Sequence, residues 1–333
     1  MRLHIPSCMT LDELFSRFEK QKVLIIGDVM LDSYLWGRVE RISPEAPVPV
    51  VHTQKREYRL GGAANVALNI QSLGAQPILC AVIGNDMEGQ CLLSLMEEKG
   101  MSKEGILTVN DRPTTIKQRV ISGSQHMLRI DSEVDAPIHF SQTTLLFNKI
   151  ELLLPACQAV IFEDYDKGLI TPELIQKVVR LADSKGIPTI VDPKKRNFLA
   201  YENVTLFKPN LKELKEGLKI DFDKADKEEV KKAADALRFR MNIKASLITL
   251  SEFGIFISDG REYHFLPAHT RSISDVSGAG DTVVSVAALA LSLGLPLQKV
   301  AALSNLAGGI VCEYVGVVPI DKQRLKEEAA GIW

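Results

Sequence analysis

Cysteine is scarce and unpatterned in this sequence: Cys8, Cys80, Cys91, Cys157 and Cys312 lie far apart along 333 residues and form no CxxC pair. An odd, scattered set excludes a disulfide framework and a thiolate zinc site, and it fits a reducing compartment. An excess of one charge is also missing. Forty Lys plus Arg against 42 Asp plus Glu leave a formal net charge of −2, so the basic field behind sequence-independent nucleic-acid binding is absent and no nucleic-acid partner is expected. The longest weakly polar run, Thr282 to Leu295, is shorter than the roughly 20 residues of a membrane-spanning helix. The start, MRLHIPSCMTLDELF, carries no apolar signal core. Together these point to a cytoplasmic protein with no membrane partner. Three common motifs are missing as well: there is no Gly-Lys pair for a phosphate-binding loop, Gly27 is followed by Asp28 rather than by a GxGxxG run, and HExxH does not occur.

What is present suits a large buried core, with 46% hydrophobic and 25% charged residues. Short β-branched runs recur at Val23–Ile26, Ile78–Ile83, Ala159–Phe162, Thr189–Val191, Thr205–Phe207, Ser246–Leu250 and Ile255–Ser258. Helix-period segments separate most of them. Thr10 with Glu13 has capping-box spacing, Thr171-Pro172-Glu173 opens another helix, and Gly74, Gly100 and Gly186 stand where left-handed C-caps are wanted. This alternation predicts an α/β fold around a mostly parallel sheet. Residues 33–60 and 111–130 break the rhythm with polar/apolar alternation and Pro or Gly turns. They read as inserted β-segments that serve as a lid, a dimer edge or ordinary surface hairpins. The charge-rich stretch 221–232 reads as a solvated helix start.

The most informative stretch is DVSGAGDTVVSVAALALSLG, from Asp275 to Gly294. Gly278, Ala279 and Gly280 put small residues at the N-terminus of a long apolar helix, where backbone N–H groups and the positive dipole end make an anion hole. Asp281 follows at once. A carboxylate there would repel a bound phosphate unless it takes a proton from an attacking group, so the pair suggests phosphoryl transfer to an alcohol with Asp281 as general base. The competing reading is a tight turn followed by an acid favoured by the helix dipole.

DVSGAGDT resembles the C-terminal signature of the PfkB/ribokinase sugar kinases, and GGAANVALNIQSLG (Gly61 to Gly74) resembles their N-terminal signature. GDVMLD, PNLKE and TLSEFG follow the family's order across nearly the whole chain. RISPEAPVPVV, DYDKG and DPK are most similar to the branch acting on D-glycero-D-manno-heptose 7-phosphate. The resemblance implies a ribokinase-like three-layer α/β/α sandwich with a small β-sheet lid, one kinase domain over 1–333, and ATP with Mg²⁺ as cofactors. It puts Asp32, Gly61, Gly62 and Asn65 on the sugar, with Asp164 and Lys167 of DYDKG and Lys194 of DPK also on the substrate side. It puts Asn210, Leu211, Lys212 and Glu213 on ATP, with Asn210 and Glu213 reaching the metal through water, and Thr249, Ser251, Gly254 and Asn305 beside the nucleotide. A homodimer through the lid is expected.

A phosphorylated acceptor needs a cationic pocket. Arg38, Arg41, Arg119, Arg129, Lys167, Lys194, Lys195 and Arg196 are all candidates, with Lys194 favoured by its DPK context. Ser277 stands where this branch usually has Thr, and the sequence departs from its relatives around Glu313 and Val317. Many relatives carry a nucleotidyltransferase domain with an HxGH motif. This sequence stops at Trp333 without one, so a kinase working apart from adenylyl transfer is expected.

Overall fold

The structure, a computed structural model, describes residues 9–123, 125–223, 226–269 and 271–333. Its strands are β1 (Lys22–Gly27), β2 (Val29–Ile42), β3 (Pro49–Gly62), β4 (Gln76–Gly84), β5 (Ile106–Val109), β6 (Ile116–Ser122), β7 (Gln125–Ser132), β8 (Ala159–Glu163), β9 (Thr189–Asp192), β10 (Leu206–Phe207), β11 (Ala245–Thr249), β12 (Ile255–Ser258) and β13 (Tyr263–Leu266). The β-branched runs become strands because a sheet covered on both faces buries every side chain, whatever its parity. β8, β9 and β12 are buried along their whole length.

Nine strands form one sheet in the order β13-β12-β11-β10-β9-β8-β1-β4-β5. Pairing from β11 through to β5 is parallel, while β12 and β13 are antiparallel additions at one edge. One group of helices, Ala63–Ser72, Ala279–Ser292, Leu297–Val311 and Lys322–Ala329, packs together on one face. Phe140–Leu153 packs with Pro172–Ser184, and Leu211–Leu218 with Lys227–Met241, completing the flanking layers. The caps read from sequence are present: Thr10 and Glu13 form a capping box, Thr171 caps a helix with Pro172 at its first position, and Gly74, Gly100 and Gly186 all take positive φ. The charge-rich stretch contains the start of the helix Lys227–Met241, capped by Asp226, although Lys224 and Ala225 lie outside the described residues.

The two interrupting segments meet in a second sheet of four strands, ordered β3-β2-β6-β7. Long-range pairing thus joins pieces that sequence shows only as separate hairpins. β2 leaves the body directly after β1, buried through Tyr34 and mostly exposed beyond Arg38, so the hairpin projects outward from the strand ends. The strands begin earlier than 33 and run past 60 and 130, because the alternation that marks a half-exposed sheet fades where β2 and β3 enter the core. Cys80, Cys91, Cys157 and Cys312 are free, while Cys8 lies outside the described residues. Among the described residues no helix is long and apolar enough to cross a membrane.

Candidate active site

The carboxyl ends of β1, β8 and β9 and the start of the helix Ala279–Ser292 converge, as expected where an open α/β sheet offers a crevice. Gly278 is the helix N-cap at φ 80°, and no side chain caps the turn. A Cβ at Gly278 would sit 3.2 Å from Asn65 Nδ2, so glycine serves both the left-handed backbone and the close approach. Ala279 donates its N–H to the Val276 carbonyl at 3.3 Å, which leaves Gly280 and the helix turn after it as the part of the anion hole nearest the cavity.

Asp281 is 7% exposed. Asn65 Nδ2 donates to its Oδ2 at 2.7 Å and the Tyr165 hydroxyl to its Oδ1 at 3.0 Å. Burial raises its pKa to about 6 against the lowering effect of the Asn65 bond, with Asp192 raising it further. Behind it stand two more buried acids: one oxygen each of Glu163, Asp192 and Asp281 lie within 4.8 Å of one another. Lys208, itself buried, holds Asp192 Oδ2 at 2.8 Å. A Cβ on Gly280 would lie 3.6 Å from both Asp192 Oδ2 and Lys208 Nζ, so this ion pair backs onto the anion hole.

Beside Gly280 opens a cavity of about 410 Å³. Ala279, Gly280, Thr249, Ser251, Gly254 and Asn305 all line it, bringing together residues far apart in sequence. Asn210 forms a lone parallel bridge with Thr249 at its rim. Asn210 and Glu213 make a reciprocal capping box, and Lys194 Nζ takes the other Glu213 oxygen at 2.7 Å. Both Glu213 oxygens are therefore committed, and the pair suits Mg²⁺ only across the metal's own water. Leu211 packs on the core and Lys212 is exposed, so neither side chain reaches the cavity.

On the lid side, Asp32 is buried and paired with Arg119. A Cβ at Gly61 would collide with Asp32 Oδ2, which explains the small residue there. Gly62 takes φ 60° and leads straight into the helix that carries Asn65. Asp164 does not offer its carboxylate to a cleft: it is buried and accepts from the Tyr201 hydroxyl at 2.7 Å, Asn197 Nδ2 at 3.1 Å and the Asp166 N–H at 2.8 Å. Arg129, on edge strand β7, is 61% exposed and pairs with Asp131 at 3.0 Å. Lys167 is bound to Glu133 at 2.7 Å and Arg196 to Asp135 at 3.0 Å.

Four residues of this site were not singled out by sequence: Tyr165, Glu163, Asp192 and Lys208. Tyr165 lies inside DYDKG and Asp192 inside DPK, motifs from which the sequence reading took Asp164, Lys167 and Lys194 instead. Of the departures, Glu313 directly follows Cys312, which lines the cavity. Glu313 binds Arg271 and Arg324, both at 2.6 Å. Val317 packs against Gly278, and Arg271 lines the cavity.

The fold, with an uncapped helix start beside a buried acid, suits phosphoryl transfer to a hydroxyl. The pfkB family carbohydrate kinase pattern matches residues 20–323, and the chain belongs to that family, phosphotransferases acting on a sugar hydroxyl. It is 39% identical over 322 residues to the Bifunctional protein HldE of Syntrophotalea carbinolica, covering 96% of this chain and 65% of that protein. With the HldE protein of Wolinella succinogenes it shares 40% over 294 residues, 88% of this chain and 61% of that one. The chain thus spans under two thirds of these relatives. Among solved structures, tetrameric inhibited phosphofructokinase-2 from Escherichia coli superposes with a TM-score of 0.74 at 19% identity, covering 93% and 99% of the two chains. Arabidopsis thaliana ribokinase with ribose and ATP gives 0.71 at 15%, covering 92% and 99%. These two likenesses show the ribokinase-like fold.

Proposed function

We propose that the chain is an ATP-dependent kinase that phosphorylates the anomeric C1 hydroxyl of D-glycero-D-manno-heptose 7-phosphate, giving the 1,7-bisphosphate, a step toward ADP-heptose for lipopolysaccharide. The observation that carries the kinase chemistry is the buried Asp281, held by two donors, next to Gly280 at the mouth of the cavity. ATP with Mg²⁺ supplies the phosphoryl group. Thr249, Ser251, Gly254 and Asn305 seat the nucleotide, and Gly280 with Lys208 behind it favours charge developing on the transferred group. Asp281 takes the proton of the sugar hydroxyl as that oxygen bonds to phosphorus and ADP leaves.

The acceptor rests on the motif resemblance and on where unspent positive charge remains. Arg119, Arg129, Lys167, Lys194 and Arg196 are each committed to a carboxylate. Arg38, Arg41 and Lys195 are exposed, and Lys117 on β6 differs from both groups. It is half-buried, has no carboxylate partner within salt-bridge distance among the described residues, and lies 5.9 Å from the Tyr165 ring whose hydroxyl holds Asp281. We assign it to the substrate phosphate, delivered by the lid. An ADP-release assay across heptose 7-phosphate, fructose, ribose and fructose 6-phosphate tests the reading, with preference for an unphosphorylated sugar sinking the acceptor assignment. Lys117→Met should raise KM for the phosphorylated sugar on the order of 10- to 100-fold, the worth of a charged hydrogen bond. The same variant should leave an unphosphorylated sugar much less affected.

A homodimer through the lid is the matching assembly. β3 and β7 are the outer strands of the small sheet. Ile42, Leu128 and Ile130 on this sheet are exposed at 60%, 57% and 44%, and Val48, in the turn just before β3, at 51%, an apolar edge that pairing would cover.

A further inference from the structure

Glu163 closes β8, directly beneath the proposed base. Its side chain is fully buried, and neither carboxylate oxygen has a hydrogen-bond partner. That is rare for a native carboxyl and calls for a physical account. The groups facing it come from every neighbouring element: Asp192 from β9, Asp281 from the helix start, Lys194 after β9, Lys208 after β10, and Tyr165 on its own loop. The two amines are already committed, Lys208 to Asp192 and Lys194 to Glu213. Four carboxyl groups, three of them buried, therefore share two cations, an imbalance that a low-dielectric interior does not tolerate.

The partners decide which acid gives up its charge. Asp192 has an ammonium at 2.8 Å. Asp281 has two hydrogen-bond donors. Glu163 has nothing.

We propose that Glu163 is a positioning residue: it is neutral at physiological pH, keeping its own proton, so that Asp281 remains the acid that can ionise and take the substrate's proton. Burial and the neighbouring charges of Asp192 and Asp281 push its ionisation in the same direction. The consequence for rate rests on Asp281 being the base, whereas the protonation of Glu163 does not, so the two can fail separately.

The sign of the linkage is definite. An unfolded glutamate releases its proton near pH 4.5 while folded Glu163 keeps it, so the residue destabilises the native state increasingly as pH rises above that point. Glu163→Gln preserves the shape and the neutral state. The melting temperature of Glu163→Gln should match wild type near pH 4.5 to 5 and exceed it by a margin that widens toward pH 8, measured without nucleotide or metal. The acid limb of its pH–rate profile should lie no higher than that of wild type. A variant less stable than wild type at pH 8 would overturn the proposal. So would a wild-type melting temperature that Mg²⁺ alone raises and that Glu163→Gln abolishes, since the cluster would then be a cation site. Should the variant fail to fold, infrared spectra of wild-type protein labelled with ¹³C-glutamate provide the same decision. A protonated glutamate carboxyl band at pH 7 is expected, and its absence would contradict the proposal.

Discussion

Asp281 is caught between burial, which favours its neutral form, and two donors, Asn65 and Tyr165, which favour the anion. Its pKa of about 6 against an ordinary 3.8 corresponds to about 3 kcal/mol. A base must be ionised, so kcat/KM should rise with pH through about 6 and level off above it. Tyr165→Phe removes one donor to the anion, and the acid limb should move upward; a limb that stays in place would remove Tyr165 from the base's support. Sequence made Asp281 and the glycines before it legible because their chemistry depends on local order: small residues, a helix start, then an acid. Tyr165, Asp192, Glu163 and Lys208 were illegible because their roles arise from side chains that meet only when β8, β9 and the segment after β10 align.

Strands and helices were easier to read than their partnerships. Each β-branched run became a strand, since a doubly covered sheet demands unbroken apolar sequence. β5 and β13, edge strands of four residues each with partly exposed positions, gave no such signal. Asn210 and Glu213 stand where three-residue spacing puts them, in one helix turn, and the turn uses them as a capping box. The loop Tyr165–Leu169 owes its shape to Asp28, which accepts the N–H groups of Tyr165, Lys167 and Leu169 at 3.0, 3.1 and 3.2 Å. Asp28→Ala leaves those donors without their acceptor and should cost about 3 kcal/mol or more of stability. Because Tyr165 rides on that loop, kcat should fall as well. Unchanged unfolding midpoint and kcat would show that the loop holds itself.

For the whole molecule, buried acids set the pH response. Asp164 and Asp281 are raised to about 6, and Glu163 and Asp28 are raised as well. Each loses stability as pH climbs from the unfolded carboxyl value through the folded one. The acids held low, such as Asp86 and Asp275, have already made their contribution below that window. His269, whose charged form burial disfavours, works the other way near neutrality. Four buried acids outweigh one half-buried histidine, so the ligand-free melting temperature should be higher at pH 5.5 than at pH 7.5; the opposite order would mean these carboxyls are ionised in the folded state. At the lid edge, Val48→Lys should convert a dimer to a monomer in light scattering if that apolar strip is the interface, and a wild-type monomer would remove the interface altogether.

The most direct measurement compares wild type with Asp281→Asn for ATP-dependent phosphorylation of heptose 7-phosphate, following ADP release under saturating ATP. Loss of a general base predicts a rate lower by on the order of 10²–10⁴, with the nucleotide still bound in its cavity. A variant that retains rate within tenfold of wild type would contradict Asp281 as the acceptor of the sugar's proton.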